Sequence, residues 1–392
     1  MDQVLTGYRR CIQKNYHHDF SKGKYGSKKS LPLTIQLMYN RGTMKLLKGV
    51  GDFFALDIGT SAVRVVQLTR DGKDSWSLTH FGYGAVDSHT TTANNKESER
   101  RLGEVILTVI GQSGIKTRNV VVGMPAQKTF TTVIDMPMMP EAELRSTIKY
   151  QIDQYIPMAV DEAKVDWVLL GQSAHDPAKQ EVLLASTANS YAEERLEFIE
   201  GLGLNVIAAE PDPIAMVRAL LPSGLNDGRM LIDVGETSTN LVMTYADAPR
   251  LVRTIPTGLQ SLVKAAVQNL NVQEDQARQF ILKFGLAPDR LEGQVYRALE
   301  GTLDGFAAEL TKSIKFFQTR YPNTPVGGIL LSGYASEIPK FSDYIAAKAS
   351  IAATPANPWQ KVRVSQADQQ QLAAISTEFA TAVGLAQRGN QK

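Results

Sequence analysis

The chain has 392 residues, 43% hydrophobic and 21% charged, which is long enough for two lobes and typical of a globular protein. It has no apolar run of the roughly 18–20 residues needed to span a bilayer, and its N-terminus lacks the apolar core of a secretory signal. Its single cysteine, Cys11, excludes an intramolecular disulfide, and no His/Cys cluster has metal-ligand spacing. We therefore predict a cytoplasmic protein.

The net charge of +2 is unevenly distributed along the chain. Residues 1–50 contain ten lysines and arginines but only Asp2 and Asp19 as acidic residues. We predict a basic, flexible N-terminal arm over this segment. A basic arm can contact anionic lipid or nucleic acid, but the pattern is more typical of a disordered leader. Met44 also offers an alternative start. No nucleic-acid partner is expected.

The folded part is predicted to begin at Phe53 with a β-hairpin. The apolar run 53–59 ends in Asp57-Ile58-Gly59, and the alternating segment 63–68 follows it, which is typical of two strands joined by a tight turn. The next predicted elements are a polar loop at 89–98, a helix around 102–110, strands at 120–123 and 130–134, and a helix at 141–155.

The second half of the chain continues the alternation of strands and helices. The predicted elements are strands at 165–170, 181–185 and 205–209, helices at 189–201 and from Pro213, a second hairpin at 231–243, a helical stretch over about 259–320, a buried strand at 327–331, and a last helix at 379–387 with Gly389 as its cap.

A short repeat links the two halves. Leu56-Asp57-Ile58-Gly59-Thr60-Ser61 recurs as Ile232-Asp233-Val234-Gly235-Glu236-Thr237, each time inside a predicted hairpin. Equivalent hairpins in both halves predict a duplicated α/β fold with a ligand held between the lobes.

The residue types in these turns are suited to phosphate. Glycine lets backbone N–H groups approach an anion, and Ser or Thr hydroxyls add donors. An Asp at the end of each strand can hold Mg²⁺, usually through water. The predicted metal residues are Asp57 and Asp233. The predicted phosphate donors are Gly59, Thr60, Ser61, Gly235, Thr237 and Ser238.

In these two turns the chain resembles the phosphate loops of the actin, heat-shock-70 and FtsA superfamily. Three further segments occur in the superfamily's order: Glu210-Pro211-Asp212-Pro213-Ile214-Ala215 resembles the first connecting segment, 329–339 the adenosine loop, and 378–386 the second connecting helix. The resemblance implies a two-lobed, actin-like α/β ATPase fold that binds ATP and Mg²⁺. It adds Arg64, Gly258, Ser332, Gly333 and Tyr334 to the nucleotide site.

Within the superfamily, three stretches are similar to the PilM family of type IV pilus proteins: 150–157 followed by Asp161-Glu162, 357–359, and 379–388. The resemblance covers about residues 44–390. It implies a small inserted subdomain, 1C, over 85–172. Lobe 1 (subdomain 1A) is then formed by 51–84, 173–227 and 360–392, and lobe 2 by 228–359.

The chain departs from the superfamily pattern in the adenosine loop. Tyr334 and Ala335 stand where two glycines are usual, and Lys340 replaces a third. Tyr334 either crowds the adenine, stacks on it, or turns away onto the lobe surface. In addition, Leu259 stands where a second Gly is usual and Arg64 where Lys is common.

Glu210 falls where bacterial actins place the acid that orients the attacking water, so the resemblance implies this role. The alternative is that Glu210 only caps the following helix. The residues leave open whether ATP is hydrolysed, and at most slow ATPase activity is expected.

The resemblance implies a scaffold that binds the cytoplasmic N-terminal tail of PilN, an inner-membrane pilus protein, in a groove between 1A and 1C. A link to the pilus motor ATPase is also implied, and membrane association would be indirect, through the partner. Val133, Ile134 and Met136 are the predicted lining of the peptide groove. The alternatives are an FtsA-like filament former or membrane anchor and, less well supported, a sugar kinase.

Overall fold

The computed structural model describes residues 51–72, 74–92, 95–373 and 375–388. The predicted basic arm, Cys11 and Gly389 lie outside these residues. Within them, no helix is long and apolar enough to cross a membrane.

The strands, in chain order, are β1 (Phe54–Ile58), β2 (Ala62–Arg70), β3 (Trp76–Ala85), β4 (Asn119–Met124), β5 (Thr129–Pro137), β6 (Ala163–Gln172), β7 (Lys179–Ala188), β8 (Asn205–Pro211), β9 (Gly228–Val234), β10 (Thr239–Tyr245), β11 (Ala248–Ile255), β12 (Val326–Gly333), β13 (Ala353–Pro355) and β14 (Val362–Arg363).

The α-helices are α1 (Ser88–Thr92), α2 (Lys96–Ser113), α3 (Glu141–Gln151), α4 (Asn189–Gly201), α5 (Asp212–Leu220), α6 (Leu259–Leu270), α7 (Glu274–Phe284), α8 (Gln294–Arg320), α9 (Tyr334–Glu337), α10 (Phe341–Ala349), α11 (Gln366–Leu372) and α12 (Ala380–Ala386). Short 3₁₀ turns cover Ala126–Lys128, Ile152–Gln154, Val160–Glu162, Leu291–Gly293 and Ser376–Phe379.

Two of the sheets share one order of five strands, in which β3-β2-β1-β4-β8 corresponds to β11-β10-β9-β12-β13. The first sheet runs β14-β3-β2-β1-β4-β8, and the second runs β11-β10-β9-β12-β13. In the first, β1 pairs antiparallel with β2 and parallel with β4; in the second, β9 pairs antiparallel with β10 and parallel with β12. The repeat in the sequence therefore corresponds to a duplicated unit of structure.

The third sheet is small and antiparallel, with the order β5-β7-β6. Helix α3 covers one face through Leu144 and Ile148, which are both buried in the same cluster as Leu184 of β7. The other face packs on α5 through Ile214.

This sheet does not match the boundaries predicted for the inserted subdomain. β4 falls within the predicted range 85–172, but it lies between β1 and β8 in the first sheet. β7 was assigned to lobe 1, but it is the central strand of the small sheet. The boundaries were wrong because pairing partners far apart in the chain, rather than local sequence, decide which sheet a strand joins.

The predicted polar loop at 89–98 is also corrected. Helix α2 begins at Lys96, after Asn95, whose side-chain oxygen accepts a hydrogen bond of 2.9 Å from the Ser98 amide. An Asn cap followed by acidic residues is typical of a helix N-terminus. The prediction missed it because the surrounding residues are also polar.

Helices α5 and α12 cross between the two larger sheets. α12 packs in the core of the first sheet through Ala382 and Val383, while Ala380 belongs to a cluster shared with Leu231 of β9 and Val242 of β10. At the crossing, Gly384 lies so close to the Ala215 carbonyl that a Cβ would overlap it. Absence of a side chain at Gly384 therefore allows α5 and α12 to pack this closely.

Candidate functional site

The turns after β1 and β9 line the same cavity. In each turn the glycine amide closes the turn with a hydrogen bond: the Gly59 amide donates to the Ala62 carbonyl at 3.0 Å, and the Gly235 amide donates to the Ser238 carbonyl at 2.9 Å. The lining includes these predicted residues: Asp57, Gly59, Thr60, Ser61, Arg64, Asp233, Gly235, Thr237, Ser238, Gly333 and Tyr334.

Two glycines hold the second turn in place without room for a side chain. A Cβ at Gly258 would lie 2.6 Å from the Glu236 carbonyl oxygen, and one at Gly333, where φ is 58°, would lie 2.5 Å from that of Val234. Gly258 lies behind the turn rather than in the cavity lining. These close approaches fix the backbone of the second turn.

Three aspartates line the cavity together: Asp57, Asp212 and Asp233. Burial raises the pKa of each, and the charge of Asp57 raises the pKa of both Asp212 and Asp233 further. Ser332, which is buried, hydrogen-bonds Asp233 and so supports it from behind. Hard oxygen ligands crowded in this way form a site that a divalent cation would stabilise.

Arg64 neutralises only part of this charge. Its Nη1 lies 3.4 Å from Asp57 Oδ2, and its Nη2 forms an ion pair with Glu378. Burial opposes the charged guanidinium, but Asp57 and Glu378 outweigh burial and raise the Arg64 pKa. Arg64 therefore ties the first turn to the residues before α12.

Asp212 is the main residue that the sequence analysis missed. It is the first residue of α5, lines the cavity, and its buried Oδ1 has no hydrogen-bond partner. An unsatisfied buried carboxylate oxygen is costly unless a ligand, water or ion completes it.

The role predicted for Glu210 is wrong for this structure. Glu210 is fully buried outside the cavity lining and is paired with Arg218, whose Nη1 lies 3.0 Å from Oε2, while Arg388 Nη1 lies 3.7 Å from Oε2. Arg218 also donates to the Gly384 carbonyl at 2.6 Å, so Glu210 stabilises the crossing of α5 and α12.

A family model described as type IV pilus assembly protein PilM matches residues 55–390. The chain belongs to the PilM family. It is similar to a solved PilM–PilN type IV pilus biogenesis complex, with 22% identity and a TM-score of 0.73, over 87% of this chain and 99% of that one. It is also similar to the ethanolamine utilization protein EutJ of Carboxydothermus hydrogenoformans, with 15% identity and a TM-score of 0.50, over 86% and 89% of the two chains. The predicted actin-like α/β ATPase fold is confirmed.

In this member of the PilM family, Tyr334 is part of the cavity wall. Burial and the neighbouring Glu236 raise the pKa of Tyr334 to about 12, and the Tyr334 side chain hydrogen-bonds Glu236. Glu236 in turn forms an ion pair with Arg278 of α7. Tyr334 therefore does not turn away onto the lobe surface.

Two further lining residues were not among the predicted site residues. Glu378 lies before α12, and Gln127 lies in the 3₁₀ turn before β5. The Gln127 side-chain amide donates to Ser238 Oγ, so the small sheet contacts the second turn directly. Only the three-dimensional arrangement brings these segments to the cavity.

The predicted lining of a peptide groove is also corrected. Val133 is 6% exposed, Ile134 6% and Met136 1%. Val133 packs against Ile214 of α5, whereas Ile134 and Met136 face α3 on the opposite side of β5. These residues are core rather than groove because both faces of the strand are covered.

Proposed function

We propose that this chain is the ATP-binding, actin-like scaffold of a type IV pilus assembly machine. The observation that carries the proposal is the pair of matched turns that line one cavity together with Asp57, Asp212 and Asp233. The scaffold acts in the cytoplasm, at the inner face of the inner membrane, through a PilN-like partner and in connection with the pilus motor ATPase. The two larger sheets correspond to its lobes, and the small sheet to subdomain 1C.

The residues present fit a Mg²⁺-bound triphosphate. Since Gly59 and Gly235 use their amides to close the turns, the phosphate donors are the amides and hydroxyls of Thr60, Ser61, Thr237 and Ser238. Asp57 and Asp233 are the residues that would hold Mg²⁺. When bound, the cation neutralises phosphate charge, and Arg64 adds a fixed positive charge beside the first turn.

Asp212, rather than Glu210, is placed to orient a water molecule in this site. Asp212 lines the cavity, its buried Oδ1 has no hydrogen-bond partner, and burial together with the charge of Asp57 raises its pKa, as is common for groups that take part in proton transfer. Hydrolysis by this route would be slow. For Tyr334, which lines the cavity, we propose that its ring stacks on the adenine of ATP.

The Asp212→Asn substitution is expected to stabilise the ligand-free protein. The native-state pKa of Asp212 is raised, so stability falls as pH rises through that pKa, and an amide avoids this loss. The melting temperature should rise by about 2–4 °C for roughly 1 kcal/mol, with the difference disappearing at acid pH. Calorimetric melts of both proteins over a pH series test this. An equal or lower melting temperature for the variant at neutral pH would contradict it.

For the PilN-like peptide we propose the outer edge of β6. β6 pairs only with β7 among the described strands, so its other edge has backbone groups available for an added strand. Val165, Trp167 and Leu169 along it are half-buried apolar side chains. An apolar segment of about ten residues adding here would gain main-chain hydrogen bonds and side-chain contacts, for micromolar affinity of about −8 kcal/mol.

The Val165→Asp substitution is expected to weaken binding of this peptide at least about tenfold, because a charge would be desolvated beside the added strand. The control is Tyr150→Ala on α3, whose side chain is 83% exposed on the same subdomain. Fluorescence anisotropy with a labelled tail peptide measures both. Unchanged affinity in Val165→Asp would move the peptide to another surface. ATP-dependent sedimentation as filaments, with no peptide bound, would replace the scaffold with a filament-forming function.

A further inference from the structure

A partly buried ionic cluster joins the small sheet to the second lobe. The small sheet contributes Asp135 of β5, Glu181 of β7 and His175 of the loop between β6 and β7. The second lobe contributes Arg250 of β11 and, at the end of α8, Arg320 and Tyr321. Arg320 Nη2 lies 3.0 Å from Asp135 Oδ2 and 3.6 Å from Glu181 Oε1. Arg250 Nε lies 3.3 Å from Glu181 Oε2, and the Tyr321 hydroxyl donates to Glu181 at 2.5 Å.

This cluster is unfavourable within the small sheet alone. Asp135 and Glu181 are directly opposite each other across β5 and β7, and like charges in opposed positions destabilise a sheet. Glu181 is 1% exposed, so solvent cannot screen the repulsion. Both arginines that offset it come from the second lobe, and the small sheet therefore depends on its contact with that lobe.

Some polar atoms in this contact also lack hydrogen-bond partners. Asp135 Oδ1, Arg250 Nη1 and Arg320 Nε are buried without hydrogen-bond partners. Separation of the two parts would let water reach these atoms, which lowers the cost of opening. The cluster is therefore suited to a contact that opens and closes rather than to a permanent one.

The same strand reaches the nucleotide cavity. The turn leading into β5 carries Gln127, which donates to Ser238 of the second turn, and further along β5 the Val133 carbonyl accepts a 3.2 Å hydrogen bond from Arg320. Movement of β5 away from α8 would thus withdraw Gln127 from the turn.

We propose that Asp135, His175, Glu181, Arg250, Arg320 and Tyr321 form a latch that couples the position of the small sheet to the order of the second phosphate turn. With the latch closed, β5 supports the turn through Gln127. With it open, β5 and the turn loosen together. A ligand that separates the small sheet from the second lobe would therefore change the cavity, and by linkage a ligand in the cavity would oppose that separation.

Hydrogen exchange measured by mass spectrometry on the full chain tests the latch without any nucleotide. Arg320→Met removes the guanidinium but keeps much of its length, and exchange in segments 127–137 and 234–240 should accelerate about tenfold together. Asp135→Asn in the same background should restore part of the protection, because it removes the repulsion with Glu181.

The matched control is Arg253→Met. Arg253 also joins β11 to α8, through Glu309 at 3.2 Å, but entirely within the second lobe. It should leave exchange in both segments within about twofold of wild type. Acceleration confined to α8 and β11, an equal effect of Arg253→Met, or no rescue by Asp135→Asn would overturn the latch. Failure of the wild type to bind ATP would reject the proposed function but leave this test unaffected.

Discussion

Replacing Gly384 by alanine is expected to cause the largest loss of stability of any change proposed for this chain. The added Cβ would overlap the Ala215 carbonyl at the crossing of α12 and α5. The obstructing atom is backbone, so relief requires the helices to move apart, and α12 is buried along its length. Overpacking of a rigid core typically costs about 1–3 kcal/mol, and this case should lie at or above the upper limit. The melting temperature should fall by more than about 5 °C.

The matched control is Gly301→Ala on α8. Gly301 is exposed in the middle of a helix, and a Cβ there meets nothing within 4 Å. The same substitution should stabilise this site by about 1 kcal/mol through helix propensity alone. Thermal unfolding of both variants separates the two effects. A Gly384→Ala protein as stable as wild type would show that the helices are not packed as described.

The second large effect concerns ligand affinity. Asp233→Asn keeps the shape of the side chain and its bond from Ser332 but removes the charge that would hold the cation. We expect the affinity for Mg·ATP to fall about 100-fold, the upper range for supporting residues around a metal. Because burial already disfavours the Asp233 charge, the variant should remain folded. The control Asp289→Asn changes a carboxylate that is 74% exposed on the surface and should bind normally.

The site could be predicted from the sequence where its chemistry is local. Each of the two turns is a short segment in which strand pattern, Asp and Gly occur together, so Asp57, Gly59, Asp233 and Gly235 were found without any tertiary information. The shared strand order of the two larger sheets follows from the same repeat.

The prediction failed for the water-orienting acid, which was assigned to Glu210 alone. Glu210-Pro211 and Asp212-Pro213 both match an acid followed by proline, and only the structure shows which acid reaches the cavity. Glu210, at the end of β8, forms an ion pair with Arg218 of the following helix, whereas Asp212 is the first residue of that helix and lines the cavity.

The sequence also did not indicate that both faces of β5 are buried. The apolar residues of β5 correctly indicated a strand, but a groove at Val133, Ile134 and Met136 required one open face. The covering helices, α3 and α5, lie on opposite sides, and α5 is far from β5 in the chain. The local sequence around β5 therefore does not indicate its contact with α5.

The measurement that tests the central claim most directly is a calorimetric titration of ATP into the full chain with Mg²⁺ and with a chelator. We expect one site per chain and micromolar or tighter binding with Mg²⁺, at about −8 kcal/mol. Removal of the cation should cause a large loss of affinity, and Asp233→Asn should reproduce that loss. Absence of binding with Mg²⁺, or equal affinity in wild type and Asp233→Asn, would show that the paired turns do not form a nucleotide site.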